Sequence, residues 1–205
     1  MIFFRGRNPM AAGIYGRAAP LAALLLLGGC LSFGGKAPKQ LISLTPASTA
    51  PAGATAEGRL SDALVVLDPD TDRRIDVQRV PVQIDDSTVA YLKDATWVER
   101  PARQFRRLLA ETIRSKGGRL VTEGDDAEVE GKSRLSGRLL DMGYDSRSRS
   151  VVVRYDALRE APDGSVRTKR FEAVVPDVEA KAKAIAPALN KAANEIAAQV
   201  AEWVG

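Results

Sequence analysis

The feature that most constrains this sequence is a short apolar run that ends at its only cysteine. The run occupies residues 21–27, and two glycines and then Cys30 follow it. Three arginines and no acidic residue precede it. A positive segment, an apolar segment too short to cross a bilayer and small residues at the cut together indicate a secretory signal peptide. We therefore predict export, with a signal peptide over residues 1–29; a start at Met10 would still leave Arg17 as the positive segment.

The end of this segment, Leu27-Gly28-Gly29-Cys30, resembles the bacterial lipobox. The resemblance implies cleavage between Gly29 and Cys30 and attachment of acyl chains such as palmitate to Cys30. Several acyl chains anchor a protein durably, whereas one does not. Leu31 stands where an Asp would favour the inner membrane, so we expect the periplasmic face of the outer membrane. The alternative is an ordinary signal peptide followed by an incidental cysteine.

The composition of the exported part excludes several classes of function. Removing the three arginines before Cys30 from the 30 basic residues leaves 27 basic against 26 acidic residues, so nucleic acid is not an expected partner. The chain has no histidine, and its one cysteine is assigned to lipid. Nucleophile–histidine pairs and zinc sites of the Cys or His type are therefore excluded. We expect no catalytic residues, no metal and no cofactor, and a protein that is not an enzyme.

Residues 30–59 are predicted to form the lipidated cysteine and a flexible tether. The segment is rich in Gly, Ala, Pro, Ser and Thr, a composition that cannot bury a core. One apolar island at residues 40–45 is a candidate first strand. Residues 60–205 are then long enough for one domain of moderate size.

Periodicity in the first half of this domain predicts two strands and a helix. Residues 60–67 form a short apolar run and residues 75–80 alternate, so both favour strands. Residues 81–97 show no clear period. From residue 97 to residue 116 apolar positions recur every three or four residues, with Pro101 tolerated in the first turn. The predicted buried face of this helix comprises Phe105, Leu108, Leu109, Thr112 and Ile113.

The second half predicts a three-strand meander over residues 131–175 and a helix over residues 178–204. The first strand is expected to place Leu135, Gly137 and Leu139 on one face and Ser136, Arg138, Leu140 and Met142 on the other. Pro162-Asp163-Gly164 predicts the turn before the last strand. Pro187 is expected to kink or divide the helix. The predicted fold is α/β (α+β): a single small domain with a mixed, largely antiparallel sheet and a β-meander, packed by two amphipathic helices.

Two features are candidates for a partner interface. The helix over residues 97–116 carries Arg103, Arg106 and Arg107 on one flank, which is either solvated surface or a contact to anionic lipid or an acidic partner. Trp97 is either a core residue or an exposed aromatic in an interface. The acidic run 68–72 imitates a calcium loop but has Arg where the loop needs its glycine and its last glutamate. We interpret it as a turn.

A succession of short motifs also points to a family. These motifs, after the lipobox, are a strand ending at Leu44, Arg74-Ile75-Asp76-Val77, Tyr91-Leu92, Trp97, Arg107-Leu108-Leu109, Leu139-Leu140-Asp141 and a final helix with Trp203. Their order resembles the ABC-type transport auxiliary lipoproteins, the PqiC-like family, over residues 41–204. The resemblance implies a small α/β domain that accompanies an MCE-domain protein, an ABC permease and an ATPase in moving lipids between two membranes.

Two hypotheses follow for the function. The first is an accessory lipoprotein that docks the MCE component; it predicts stable contact with that protein and allows a homo-oligomer. The second is a lipoprotein that binds lipid or a small molecule on its own, and it predicts an apolar pocket.

Overall fold

The computed structural model describes residues 40–124 and 133–205 of the chain. The predicted signal peptide, Cys30 and the first part of the tether lie outside the described residues. The described strands are β1 Gln40–Ile42, β2 Leu64–Val66, β3 Asp70–Thr71, β4 Pro81–Gln83, β5 Val89–Tyr91, β6 Ala95–Trp97, β7 Val121–Glu123, β8 Ser133–Asp145, β9 Ser150–Glu160 and β10 Val166–Val175. The described helices are α1 Pro101–Ser115 and α2 Ala182–Val204, with a single 3-10 turn at Leu60–Asp62.

The strands form one mixed sheet and one separate strand pair. In the main sheet the order is β10-β9-β8-β2-β7, and β3 and β4 also pair with β8. The three longest strands, β8 to β10, are antiparallel, whereas β2, β3 and β4 run parallel to β8. β1 and β6 pair in parallel on their own. The predicted fold class, including the meander, is confirmed.

Both predicted helices cover one face of the sheet. The apolar stripe predicted for α1 is buried in full, and the ring of Phe105 meets that of Tyr155 of β9 edge-on at 5.2 Å between centroids. α2 buries alanines at the positions where it approaches the sheet, which permits close packing. The helix continues through Pro187 and is not divided there. Val178 precedes the helix, and its carbonyl accepts a hydrogen bond from the hydroxyl of Tyr144.

Strand β8 reverses its side-chain alternation halfway along. Its register against β9 shifts between Leu139 and Asp141, which is the signature of a β-bulge. Because one extra residue moves every later side chain to the opposite face, Met142 and Tyr144 join Leu135 and Leu139 in the core. The prediction that Met142 lies on the opposite face from Leu139 was therefore wrong.

Residues 75–80 form turns, not the predicted strand. The carbonyl of Asp72 accepts hydrogen bonds from the backbone N–H groups of Ile75 and Asp76, and its carboxylate accepts one from that of Arg74. Ile75 and Val80 are buried as two separate anchors. These two residues alternate with polar residues, and this pattern is also typical of a strand. Here the local hydrogen bonds to Asp72 favour a turn instead.

Other parts of the first half are more regular than expected. The stretch after Pro81 contains the antiparallel pair β4–β5 and the strand β6. Within residues 60–67 only Leu64–Val66 forms a strand.

The segment after β1, assigned by sequence to the tether, packs against the domain. Ile42 and Leu44 belong to the core, and β1 is the strand expected in the apolar island. The backbone N–H groups of Thr45 and Ala47 donate to the side-chain oxygens of Asn190 and Asn194 on α2, at 2.8 and 2.7 Å. The packed structure therefore begins before the predicted boundary at residue 60.

The pairing of β8 with β9 can be tested at a glycine of β8 that lies opposite Ala157. Gly137 has a φ of +147°, and a Cβ on it would lie 2.1 Å from the carbonyl oxygen of Asp156. We expect Gly137→Ala to lower the free energy of unfolding by about 2–3 kcal/mol, because backbone would have to move. Gly58→Ala meets only Leu120 Cβ at 3.9 Å and is the matched control, with a change within about 0.5 kcal/mol. Urea denaturation measures both, and equal stabilities would contradict the described register.

Candidate functional site

The structure assigns Trp97 to the core, not to a partner surface. Its side chain is 0% exposed, and the residue ends β6, where it pairs in register with Ile42 of β1. Of the two interpretations of Trp97, core residue or exposed interface aromatic, the structure agrees with the first, because no part of the indole reaches the surface.

The three arginines predicted as a basic flank have different surroundings. Arg106 is only 13% exposed and lies between Asp68, 3.3 Å away, and Glu123, 3.5 Å away. It therefore connects α1 to the segment after β2 and to β7. Arg103 and Arg107 are half exposed, and both pair with Glu99. Of the predicted flank, only these two guanidinium groups lie at the surface, and a carboxylate partly neutralises them.

A larger polar surface lies on the face of the meander that the helices leave uncovered, here called the open face. Since Tyr155 of β9 points to α1, the alternate residues Arg154 and Asp156 point the other way. Cross-strand register sets charged side chains opposite one another there in two rows. One row consists of Arg138, Asp156 and Arg170, and the other of Asp141, Arg154 and Glu172.

Short ion pairs hold five of the six side chains in these rows, and Arg138 adds its charge beside Asp156. The guanidinium of Arg170 meets the Asp156 carboxylate through two hydrogen bonds of 2.6 Å. Arg154 pairs with Asp141 on one side and with Glu172 on the other. The hydrogen bonds from Arg170, and then the positive charges around it, lower the pKa of Asp156 below its ordinary value. Asp156 is thus ionised at neutral pH, and the rows carry fixed charges of opposite sense.

Arg74 extends the second row and closes the bulge of β8. Its Nη2 donates to the carbonyl of Leu140, at 2.7 Å, and to the carboxylate of Asp141, at 2.8 Å. Partial burial alone would lower the pKa of Arg74, but hydrogen bonds and charge attraction from Asp72 and Asp141 raise it. The bulge leaves a strand carbonyl without a ladder partner, and a permanently charged side chain satisfies it.

Two open grooves cross the open face. One, of about 840 Å³, has Leu67, Asp70, Arg138, Leu158, Thr168 and Arg170 in its lining. The other, of about 390 Å³, lies near the bulge and is bordered by Arg74, Gln83, Asp86, Asp141, Arg147 and Arg154. Charged side chains make up about half of each lining, and in the larger groove the apolar surface between them exceeds the polar surface. The smaller groove fits a polar protein segment or a lipid headgroup, whereas the larger one also offers apolar surface to a ligand.

The open face offers charged side chains that can bind a partner or a ligand, and the phenol of β9 lies on the other side of the sheet. Tyr155 is buried, which raises the pKa of its hydroxyl, and that hydroxyl donates to the carbonyl of Ser136 at 2.7 Å. Among residues 40–124 and 133–205, no group of three or more acidic, His or Cys side chains is placed to hold a metal ion. Within the same residues, neither helix is both long and apolar enough to cross a bilayer.

Sequence reasoning missed the open face because its charges come together only through register. A signal was present in the alternation of Arg154 with Asp156 and of Arg170 with Glu172. The register of β8, β9 and β10 decides which charged side chains lie opposite each other. That register depends on the turns and on the bulge, which the sequence of one strand does not reveal.

This arrangement defines a two-layer α/β domain with an uncovered, charged sheet face. The family model described as the ABC-type transport auxiliary lipoprotein component matches residues 42–201, so the chain belongs to that family. The resemblance predicted from the sequence is thereby confirmed. The protein is a lipoprotein that serves as an auxiliary component of ABC-type transport, and the family implies a membrane-anchored position in the periplasm.

Solved structures show the same fold. Protein XCC0632 from Xanthomonas campestris is 16% identical, with a TM-score of 0.67 over 80% of this chain and 93% of its own. A second structure, titled only as an uncharacterized protein, is 14% identical, with a TM-score of 0.65 over 82% of this chain and 99% of its own. No curated protein sequence matches the chain.

The contrast between buried and exposed arginines on α1 can be tested by truncation. Arg106→Ala removes the cation that the carboxylates of Asp68 and Glu123 share, although Glu123 keeps its pair with Arg114. We expect a loss of about 2 kcal/mol in the free energy of unfolding. Arg103→Ala, on the same helix, breaks only an exposed pair and should cost less than about 0.5 kcal/mol. Thermal or urea denaturation of both variants decides the point. Equal losses would contradict a structural role for Arg106.

Proposed function

We propose that this lipoprotein is a non-catalytic docking component of an MCE/ABC-type lipid transport system, anchored on the periplasmic face of the outer membrane. It contacts the MCE-domain protein through the open face and supports the movement of lipid between inner and outer membranes. The observation that carries the proposal is the pair of charge rows fixed on an uncovered sheet face. Membership in a transport auxiliary family supplies the system in which such a face would be used.

Fixed charges suit recognition of a protein partner. Groups already held by ion pairs lose little freedom on binding, and opposite patterns on a partner give register and orientation. The first row carries two cations around an anion, and the second, which Arg74 extends, alternates two cations with two anions. A partner with the reverse pattern is selected, while one with like charges opposite these rows is rejected.

The dimensions of the open face argue for more than one copy. Its strands have 13, 11 and 10 residues. At about 3.3 Å per residue and about 4.8 Å between strands, the face covers roughly 500 Å². A standard stable interface buries about 800 Å² on each partner. One copy alone therefore binds weakly, and several copies on the same MCE assembly gain by multivalency.

The anchor keeps the domain close to its membrane. Acylation of Cys30 leaves residues 31–39 between the lipid and β1. Nine residues span at most about 30 Å when fully extended. The MCE component must therefore approach the membrane that carries the lipoprotein.

A second candidate function rests on the larger groove. At about 840 Å³ it has room for a small ligand, and its cations fit the phosphate of a lipid headgroup. This favours a lipoprotein that binds lipid or a small molecule on its own. The cations fit the headgroup of such a ligand, and apolar side chains such as Leu67 and Leu158 offer surface to the rest of it.

Photocrosslinking in intact envelopes distinguishes the two functions. A photoreactive amino acid replaces Thr168 on the open face or, as the control, the exposed Lys191 on α2. We expect an MCE-domain protein to be captured from position 168 and not from position 191. Capture of lipid alone at position 168 would favour the second function, and capture of the MCE protein at both positions would remove the assignment to this face.

A charge swap tests recognition separately from folding. Arg170→Asp alone breaks the pair with Asp156, whereas Asp156→Arg with Arg170→Asp restores a pair of the opposite sense. We expect the double variant to recover part of the melting temperature lost in Arg170→Asp, because the new arginine at position 156 faces Arg138 with a like charge. It should bind the MCE protein about tenfold more weakly, because two of the three charges in the first row have changed sign. Titration of the purified partner measures the affinity. Unchanged affinity in the double variant would show that the rows do not read the partner.

A further inference from the structure

The β1–β6 pair has an outer face that carries no charge. Ile42 and Trp97 point into the core, so their neighbours along each strand point outward. Leu41 is 58% exposed and Val98, just past the end of β6, is 46% exposed. Ser43 and Thr96 complete this surface, here called the β1–β6 face.

Charges around the β1–β6 face are nearly balanced. Lys93 is exposed before β6, beside the equally exposed Asp94. After Val98, Arg100 pairs with Asp76, and Arg103 and Arg107 share the carboxylate of Glu99, which leaves one positive charge in excess. Attraction to this face must therefore come mainly from its apolar side chains, and salt should change it little.

The length of chain before β1 limits what this face can meet. A folded domain of the described size is about 40 Å across by the usual scaling of radius of gyration with length. Residues 31–39 reach at most about 30 Å, which is less than that diameter. The surface around β1 is therefore the part of the domain held nearest to the lipid on Cys30. A pair of exposed apolar side chains held beside a lipid surface gains free energy by entering it.

We propose that the β1–β6 face lies on the membrane that carries the acyl anchor, with Leu41 and Val98 inserted at the level of the headgroups. This contact fixes the orientation of the domain relative to the membrane. It rests on acylation of Cys30, which the proposed function shares, but not on any contact with an MCE protein.

Fluorescence quenching by lipid tests the orientation. The full acylated protein is placed in vesicles of phosphatidylethanolamine and phosphatidylglycerol that include a nitroxide-labelled lipid. An environment-sensitive dye is attached at Ser43→Cys or, as the control, at Thr168→Cys on the open face; the thiol of the acylated Cys30 is blocked. We expect a blue shift and several-fold stronger quenching at position 43, unchanged when salt is raised. Equal quenching at the two positions, or quenching lost in salt, would overturn the proposal.

Substitutions on the β1–β6 face supply the matched comparison. With the dye at position 43, Leu41→Asp with Val98→Asp should lose most of the quenching, because two carboxylates resist transfer to the headgroup region. Val166→Asp with Val174→Asp removes equally exposed valines from β10 and should keep it. All four substituted positions are on the surface, so we expect both double variants to keep the melting temperature of the unsubstituted protein. The melting temperatures are measured before the quenching. Quenching that survives the first pair of substitutions would refute insertion.

Failure of this proposal and failure of the proposed function can be told apart. Intact mass reports acylation of Cys30, and crosslinking from position 168 reports the MCE contact. Loss of quenching with both of those intact would overturn only the orientation.

Discussion

The reversal of alternation in β8 is the constraint on which both faces of the sheet depend. Without the register shift after Leu139, Asp141 would point into the core and Met142 into solvent. A buried carboxylate without a partner is costly, so the shift is needed for the domain to fold. It also places Asp141 opposite Arg154, where it completes the second charge row. Arg74 then satisfies the carbonyl of Leu140 that the bulge leaves free.

The two layers divide the work of the domain. Helices α1 and α2 bury one face of the sheet, and the aromatic contact between Phe105 and Tyr155 lies in that layer. The other face bears ion pairs that are held in fixed geometry at the surface. Ion pairs of this exposure add little stability. They present a defined charge pattern on the uncovered face.

Much of the fold could be predicted because its signals are local. The 3.6-residue period of α1, the alternation along β9 and the turn at residues 162–164 each arise from the physical preferences of neighbouring residues. The failures have non-local causes. Hydrogen bonds to Asp72 favour turns over residues 75–80, although apolar and polar residues alternate there. The β-bulge in β8 places Met142 in the core, and periodicity alone does not predict a bulge. The packing of Thr45 and Ala47 depends on side chains of α2 more than 140 residues later in the chain.

The candidate site was harder to predict than the fold for the same reason. A basic stripe on α1 is visible in the sequence, yet Arg106 is used inside the structure and Trp97 is buried. The open face exists only after three strands have been brought into register.

Thiol labelling along β8 tests the bulge most directly. In otherwise native acylated protein, Asp141→Cys and Met142→Cys are compared for their rate of reaction with a polar maleimide. We expect the cysteine at position 141 to react rapidly and the one at position 142 to be protected until the protein unfolds. Rapid labelling at position 142 with protection at position 141 would mean that the alternation of β8 is unbroken, and the open face described here would not exist.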